Sequence, residues 1–180
     1  MLDLGGSPFN WQLAEIRPAR LVMLNLLITD QPRAAWYELH QGDAENAPFA
    51  NGEFDLVFSN SVIEHVGSLE KQKAFAQECM RCGKRFFVQT PNRWFPLDLH
   101  TMLPFVHWSR PLFRLLARCS PRAILFGAAG MEDMNNLRLI SKKEMARLFP
   151  GAAIIEEKVF GLTKSLIAVS PVPCDRKARN

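Results

Sequence analysis

Three short groups of residues in this 180-residue chain are of types and spacings that could do chemistry. The first is Asp3-Leu4-Gly5-Gly6-Ser7. Paired glycines after an apolar run let backbone approach a ligand closely, because no Cβ stands in the way. A turn with no further duty is the plainer reading of the same pair. The second is Gly42-Asp43-Ala44. An acid there could accept a hydrogen bond from an exocyclic amine, or sit solvated in a turn. The third runs from Phe54 to Val66. Its apolar start, Phe54-Asp55-Leu56-Val57-Phe58, leads straight into Ser59-Asn60-Ser61 and then Glu64-His65. Buried residues would there deliver polar groups, Asn60 and His65 among them, to one edge of the protein.

These groups need elements to hold them. Residues 2–4 and 21–24 are short apolar runs that read as buried strands. Residues 36–39 give a third strand, 54–58 a fourth with strong β-formers, and 85–89 a fifth. Residues 9–16 read as a short helix closed by Arg17-Pro18, and Ser68 caps a helix running to about Arg81. Ser141 and Glu144 make a capping box for a helix over 141–148. Strands 153–160 and 164–169 flank Gly161-Leu162-Thr163, a hairpin-length connection. Alternating strands and helices predict an α/β fold: a Rossmann-like, mostly parallel sheet with helices on both faces and a C-terminal antiparallel hairpin. Ligands of such sheets bind beyond the carboxyl ends of the strands. All three polar groups fall at such ends, and their order is more specific than any one of them.

The chain reads as one domain over 1–170, with 93–130 an insertion and 171–180 a polar tail. The first strand starts at the terminus, which predicts that an N-terminal part is missing. No apolar run approaches the ~20 residues of a membrane span. An acid stands where a signal peptide has a basic region, so a cytoplasmic location is expected. Cys79 and Cys82 form a CxxC, a candidate redox pair or half a zinc site. No second CxxC or CxxH follows, which favours two helix-end cysteines in a reducing compartment. The net charge is +4, and 93–130 holds all of it, with five arginines against the single acid Asp98. No lysine cluster or binding motif accompanies them, so no nucleic-acid partner is expected.

On these residues the sequence resembles the class I methyltransferases that use S-adenosylmethionine, of the type 11 domain family. The resemblance spans 1–91 and resumes over 137–169. In that family the first glycine loop lies under the methionine part of the cofactor, and Asp3, Gly5 and Gly6 match it. The acid after the third strand contacts adenine, which Asp43, followed by Ala44, matches. The segment after the fourth strand lines the cofactor and acceptor pocket, and Ser59 to His65 match it. Two positions depart from the pattern. Ser7-Pro8 stands where a third glycine is usual, and Asn25 where an acid holds the ribose hydroxyls. Asparagine both donates and accepts, but without charge. A dinucleotide site would need GxGxxG and an acid at that same place, and neither is present.

The resemblance implies a methyltransferase that moves a methyl group from S-adenosylmethionine to a small-molecule or lipid-like acceptor. The alternative is a catalytically inactive, methyltransferase-like binding protein. The expected cofactor contacts are Asp3, Gly5, Gly6, Asn25, Asp43, Ala44 and Asn60. Glu64-His65 is similar to the end of a metal-binding ExxEH, but Ser61 replaces the first acid, and serine is a poor ligand for a hard cation. No metal is therefore expected. His65 is expected to pack or orient its neighbours, with general base as its catalytic alternative. Residues 94–130 are the expected acceptor cover, rich in Trp94, Phe95, Phe105 and Trp108. Arg110, Arg114 and Arg118 share one helical face opposite Leu112, Leu115 and Leu116. That helix reads as a lid with a solvated face, as a basic surface over 109–122 touching an anionic membrane, or as a binder of an anionic acceptor.

Overall fold

The computed structural model describes residues 1–14, 16–27, 34–97, 103–117 and 137–171, with backbone alone at 110, 111, 114 and 117. Five strands run parallel: β1 (Leu2–Leu4), β2 (Leu21–Asn25), β3 (Tyr37–Gln41), β4 (Val57–Asn60) and β5 (Phe86–Pro91). The last two, β6 (Ala153–Val159) and β7 (Leu162–Val169), pair antiparallel with each other, and β7 with β5. The sheet order is β3-β2-β1-β4-β5-β7-β6. Chain direction through the sheet reverses between β1 and β4, which makes that gap the switch point where α/β sheets open a crevice.

Alternation along the strands sorts the side chains. Leu2, Leu4, Val22, Leu24, Val57 and Val88 enter the main core, together with Phe75 and Cys79 of α2 (Leu69–Cys82) and Met145 and Leu148 of α4 (Lys142–Leu148). Leu21, Met23 and Tyr37 form a smaller cluster against which Trp11 of α1 (Pro8–Leu13) packs. The expected fold class is therefore the observed one. Cys79 and Cys82 are both buried, and burial pushes their thiols above the ordinary value. A thiol held protonated is a weak nucleophile and metal ligand, so the CxxC reads as core packing. Cys119 and Cys174 lie outside the described residues.

Several boundaries differ from the sequence expectation. β4 starts three residues later than the apolar run, because Phe54 makes only an isolated bridge to Gly83. It then continues into Ser59 and Asn60, which pair with Val88 and Gln89 of β5. Backbone pairing sets that end, and side-chain polarity does not. Helix α1 stops at Leu13 rather than Ile16. The β6–β7 connection is two residues, shorter than expected, with φ of 49° at Phe160 and 78° at Gly161. Positive φ at both positions is what a type I′ hairpin turn requires. The capping box forms as read: Ser141 accepts from the Glu144 amide, and Glu144 reaches back to the Ser141 amide.

Candidate functional site

A cavity of about 700 Å³ opens at the carboxyl ends of β1 to β4, on the switch point. Its size lies within the ordinary range for small-molecule sites. Gly5 after β1, Asn25 at the end of β2, Gly42, Asp43 and Ala44 after β3, and Ser61, Val62 and His65 after β4 all line it. The structure thus gathers Gly5, Asn25, Asp43, Ala44 and His65 from the expected set. Asp3, Gly6 and Asn60 support or flank this wall and do not line the cavity.

Asp3 is buried, with Trp11 Nε1 donating to its Oδ2 at 2.6 Å. Burial pushes its carboxyl from an ordinary 3.8 up to about 6, and the Trp11 hydrogen bond partly opposes that. The same carboxylate explains the glycine above it, because a Cβ at Gly6 would lie 2.0 Å from Asp3 Oδ2. Gly5 has φ of 79°, and a Cβ there would meet Val62 Cγ2 at 2.5 Å. The turn is therefore closed against side chains from below and from β4. Asn25 Nδ2 donates to the carbonyls of Gly5 and Gly6 at 3.3 and 3.2 Å. The residue at the ribose acid's place thus holds the glycine turn, which an aspartate, having no donor, could not do.

The Asp43 loop is tied down in a different way. Asp43 Oδ1 accepts from the Glu45 amide at 2.9 Å, an Asx turn that leaves Oδ2 as an outward acceptor. Lys71 Nζ on α2 pairs with Glu45 Oε1 at 3.2 Å across the cavity wall. Further along, Glu78 accepts from the Ala47 amide, and Arg81 donates to the carbonyls of Ala47 and Phe49. Sequence reasoning missed this brace. Its signal was available: Glu78 and Arg81 sit three apart on one helix face.

The β4 end is the strained part. Ser61 has φ of 56°, a left-handed conformation rare outside glycine and common at functional sites. Both its amide and its hydroxyl bond to Gln89, the hydroxyl at 3.0 Å. This elbow presents Val62 and His65 to the cavity. Glu64 turns the other way, fully buried, and accepts from the Thr90 hydroxyl at 2.9 Å. Glu64 and His65 are thus neighbours in sequence that serve opposite sides of the loop.

The expected acceptor cover is described only in part. Its residues 98–102 and 118–136, including Arg118 and Arg122, lie outside the described residues, as do the side chains of Arg110 and Arg114. A short 3-10 turn at Val106–Trp108 and α3 (Arg110–Ala117) are defined. Trp108 contacts both Trp94 and Phe105, and all three are exposed, as are Leu112 and Leu115.

With this geometry in place, comparison with known proteins is informative. Residues 15–85 match the model of a methyltransferase domain family. A structure from Bordetella parapertussis described as a possible exported protein matches at 14% identity and TM-score 0.58, over 95% of this chain and 61% of its own. A SAM-dependent methyltransferase from Methanosarcina mazei matches at 11% and 0.52, over 93% of this chain and 89% of its own. A SAM-dependent methyltransferase from Thermotoga maritima, described as a possible histamine N-methyltransferase, matches at 14% and 0.54, over 93% and 79%. The chain spans less than two thirds of the first of these. At such identities the likeness shows a shared fold. No curated protein matches the sequence. The domain match covers less than half of the chain; with the shared fold it makes the chain similar to methyltransferases that use S-adenosylmethionine.

Proposed function

We propose that this class I methyltransferase fold transfers a methyl group from S-adenosylmethionine to a small-molecule or lipid-like acceptor. The observation that carries the reading is the cavity at the switch point, where Gly5, Asn25, Asp43, Ala44 and His65 converge from four strand ends. The residues present fit the cofactor. Val62 and Asp3 hold the turn at Gly5 and Gly6 to glycine, since a Cβ at either would strike them, so Gly5 presents backbone alone to the cavity. Asp43 offers a carboxylate oxygen to an exocyclic amine. Asn25 Oδ1, which accepts from the Leu27 amide at 3.4 Å, has a second lone pair for a hydroxyl, while its amide donates to the turn.

Once bound, the cofactor supplies a methyl carbon on a positively charged sulfur, which needs no further activation. The protein's part is to orient that carbon and exclude water. Gly5, Asn25 and Asp43 would hold the cofactor so that the acceptor's lone pair could replace the carbon–sulfur bond, whose electron pair would leave with the sulfur. The acceptor's proton must then leave, and His65 on the cavity wall is the side chain we assign to receive or orient it. Exposed Trp94, Phe105, Trp108, Leu112 and Leu115 support an apolar or amphiphilic acceptor, and contact with a membrane surface through 109–122 would deliver one.

A second reading, an inactive binding protein, draws on the commitment of Asn25 to the glycine turn. Incubation with trideuteromethyl-labelled S-adenosylmethionine and an extract of small molecules and lipids separates the two. The proposal expects labelled products by mass spectrometry. Cofactor binding without any labelled product would leave the binding reading.

A further inference from the structure

A second cavity, of about 270 Å³, is lined by Arg93, His107, Trp108, Phe113, Leu137, Arg138 and Leu139. It lies against the same loop as the cofactor cavity. Val62, His65 and Val66 line the larger cavity, while the Glu64 carbonyl between them accepts from the Arg138 amide at 2.7 Å. Buried Gln72 fixes this wall, its Nε2 donating to the carbonyls of Ile63 and Arg138, each at 2.9 Å. The small cavity is below the size of a whole small-molecule site and suits a compact head group.

We infer that this second cavity binds a carboxylate or phosphate group of the methyl acceptor through Arg93 and His107. The inference rests on the methyltransferase reading above.

Charge gives the first argument. Arg138 is already engaged, donating to Glu144 Oε1 at 2.5 Å and also to Gln72. Its charge is therefore offset. Arg93 lies over the Trp94 ring at 5.5 Å, and among the described residues no carboxylate pairs with it. Among the described residues, the cavity lining thus holds one cation that no carboxylate offsets. A cationic or purely apolar occupant would leave that charge uncompensated, whereas an oxyanion offsets it. Arginine also matches carboxylate and phosphate geometry with two parallel hydrogen bonds.

The second argument comes from the imidazole. His107 Nε2 lies 3.0 Å from the Arg93 carbonyl, and Trp108 Nε1 donates to the same oxygen at 3.0 Å. A carbonyl only accepts, so Nε2 must carry the proton in every ionisation state. The other nitrogen, Nδ1, is buried without a partner among the described residues. Such an atom calls for a ligand. An oxyanion satisfies it in one of two ways: a protonated phosphate oxygen donates to Nδ1, or the ring gains a proton there and donates to the anion.

The test uses the full chain labelled with ¹⁵N. Inorganic phosphate, acetate and chloride are titrated separately at matched ionic strength, and the His107 ring nitrogens are followed by NMR. We expect phosphate, acetate or both to shift His107 Nδ1 in a saturable way while chloride does not. Saturation by phosphate alone assigns a phosphate-bearing acceptor, and by acetate alone a carboxylate-bearing one. Arg93→Gln should weaken that binding about tenfold or more, and Arg93→Lys, which keeps the charge but not the paired geometry, by less. The amide spectrum away from the cavity reports whether each variant is folded. No saturable shift, an equal response to chloride, or unchanged affinity in both variants would overturn the assignment. S-adenosylmethionine titrated into the same samples keeps the two readings apart. Cofactor binding without an anion response removes only this subsite, and an anion response without cofactor binding removes only the methyl-transfer reading.

Discussion

The switch-point cavity and the region after β5 occupy one edge of the same sheet, yet they are built differently. The first is made of strand ends, and the residues that line or support it hold one another: Trp11 on Asp3, Asn25 on the glycine turn, Lys71 on Glu45 and Ser61 on Gln89. The second is made of connections, with exposed Trp94, Phe105 and Trp108 and an arginine that no described carboxylate offsets. A cross-braced, and in that sense rigid, half suits a cofactor that is the same molecule on every turnover. A more open half suits an acceptor that must enter and leave on every turnover.

Substitutions should separate the two halves, and the largest effect belongs to the rigid one. Gly6→Ala drives a Cβ into Asp3, which Trp11 pins from the other side. We expect it to cost about 3 kcal/mol of stability by overpacking and to abolish cofactor binding, as read by thermal melts and calorimetry. Trp94→Ala in the open half, at 60% exposure, should change stability by less than about 0.5 kcal/mol while still lowering acceptor turnover.

Gln72→Ala tests the wall between the halves. It leaves the carbonyls of Ile63 and Arg138 without their donor. A loss of about 2–3 kcal/mol is expected, with both cavities disturbed together. If only one cavity responds, the shared wall is not what couples them.

Asp3 gives a pH signature confined to the rigid half. Its folded carboxyl titrates at about 6 against an ordinary 3.8, so between those values the folded state holds a proton that the unfolded chain has lost. Stability should therefore fall as pH rises from about 4 to about 6. Above 6 the full cost of burying the charge remains. Asp3→Asn keeps an acceptor for Trp11 and removes the charge, so it should flatten that slope and raise stability at pH 8 by roughly 2 kcal/mol. Melting curves across pH would show it, and an unchanged slope would mean that another group carries it.

The contrast between the halves also explains what the sequence made legible. Glycines and an acid at strand ends follow from geometry that every such sheet shares, so the place of Gly5, Asp43 and Ala44 on the cavity wall was readable. Asp3 and Gly6 were read from the same pattern, and they lie beside the cavity wall, with Asp3 buried beneath the turn against Trp11. Asn60 lies on an exposed strand end beside the cavity. Trp11, Gln72 and Arg81 could not be assigned roles in advance, since their partners lie 8, 66 and up to 34 residues away. The tautomer of His107 depends on a contact across 14 residues of connecting chain. No local pattern encodes such a contact.

Two smaller effects refine the cofactor site. Asp43→Ala should weaken S-adenosylmethionine binding by about 1–3 kcal/mol through the lost acceptor, with little change in melting temperature. A chelator should leave methyl transfer unaltered, because Ser61 stands where a metal site would need a carboxylate, and its hydroxyl already bonds Gln89. Activity lost in chelator and restored by a divalent cation would contradict this.

The central claim is that the switch-point cavity holds S-adenosylmethionine, and calorimetric titration of the chain with that cofactor tests it most directly. The account predicts saturable binding at one site per chain, weakened by Asp43→Ala and abolished by Gly6→Ala in folded protein. Absence of binding by the folded parent chain, or binding indifferent to both substitutions, would contradict it.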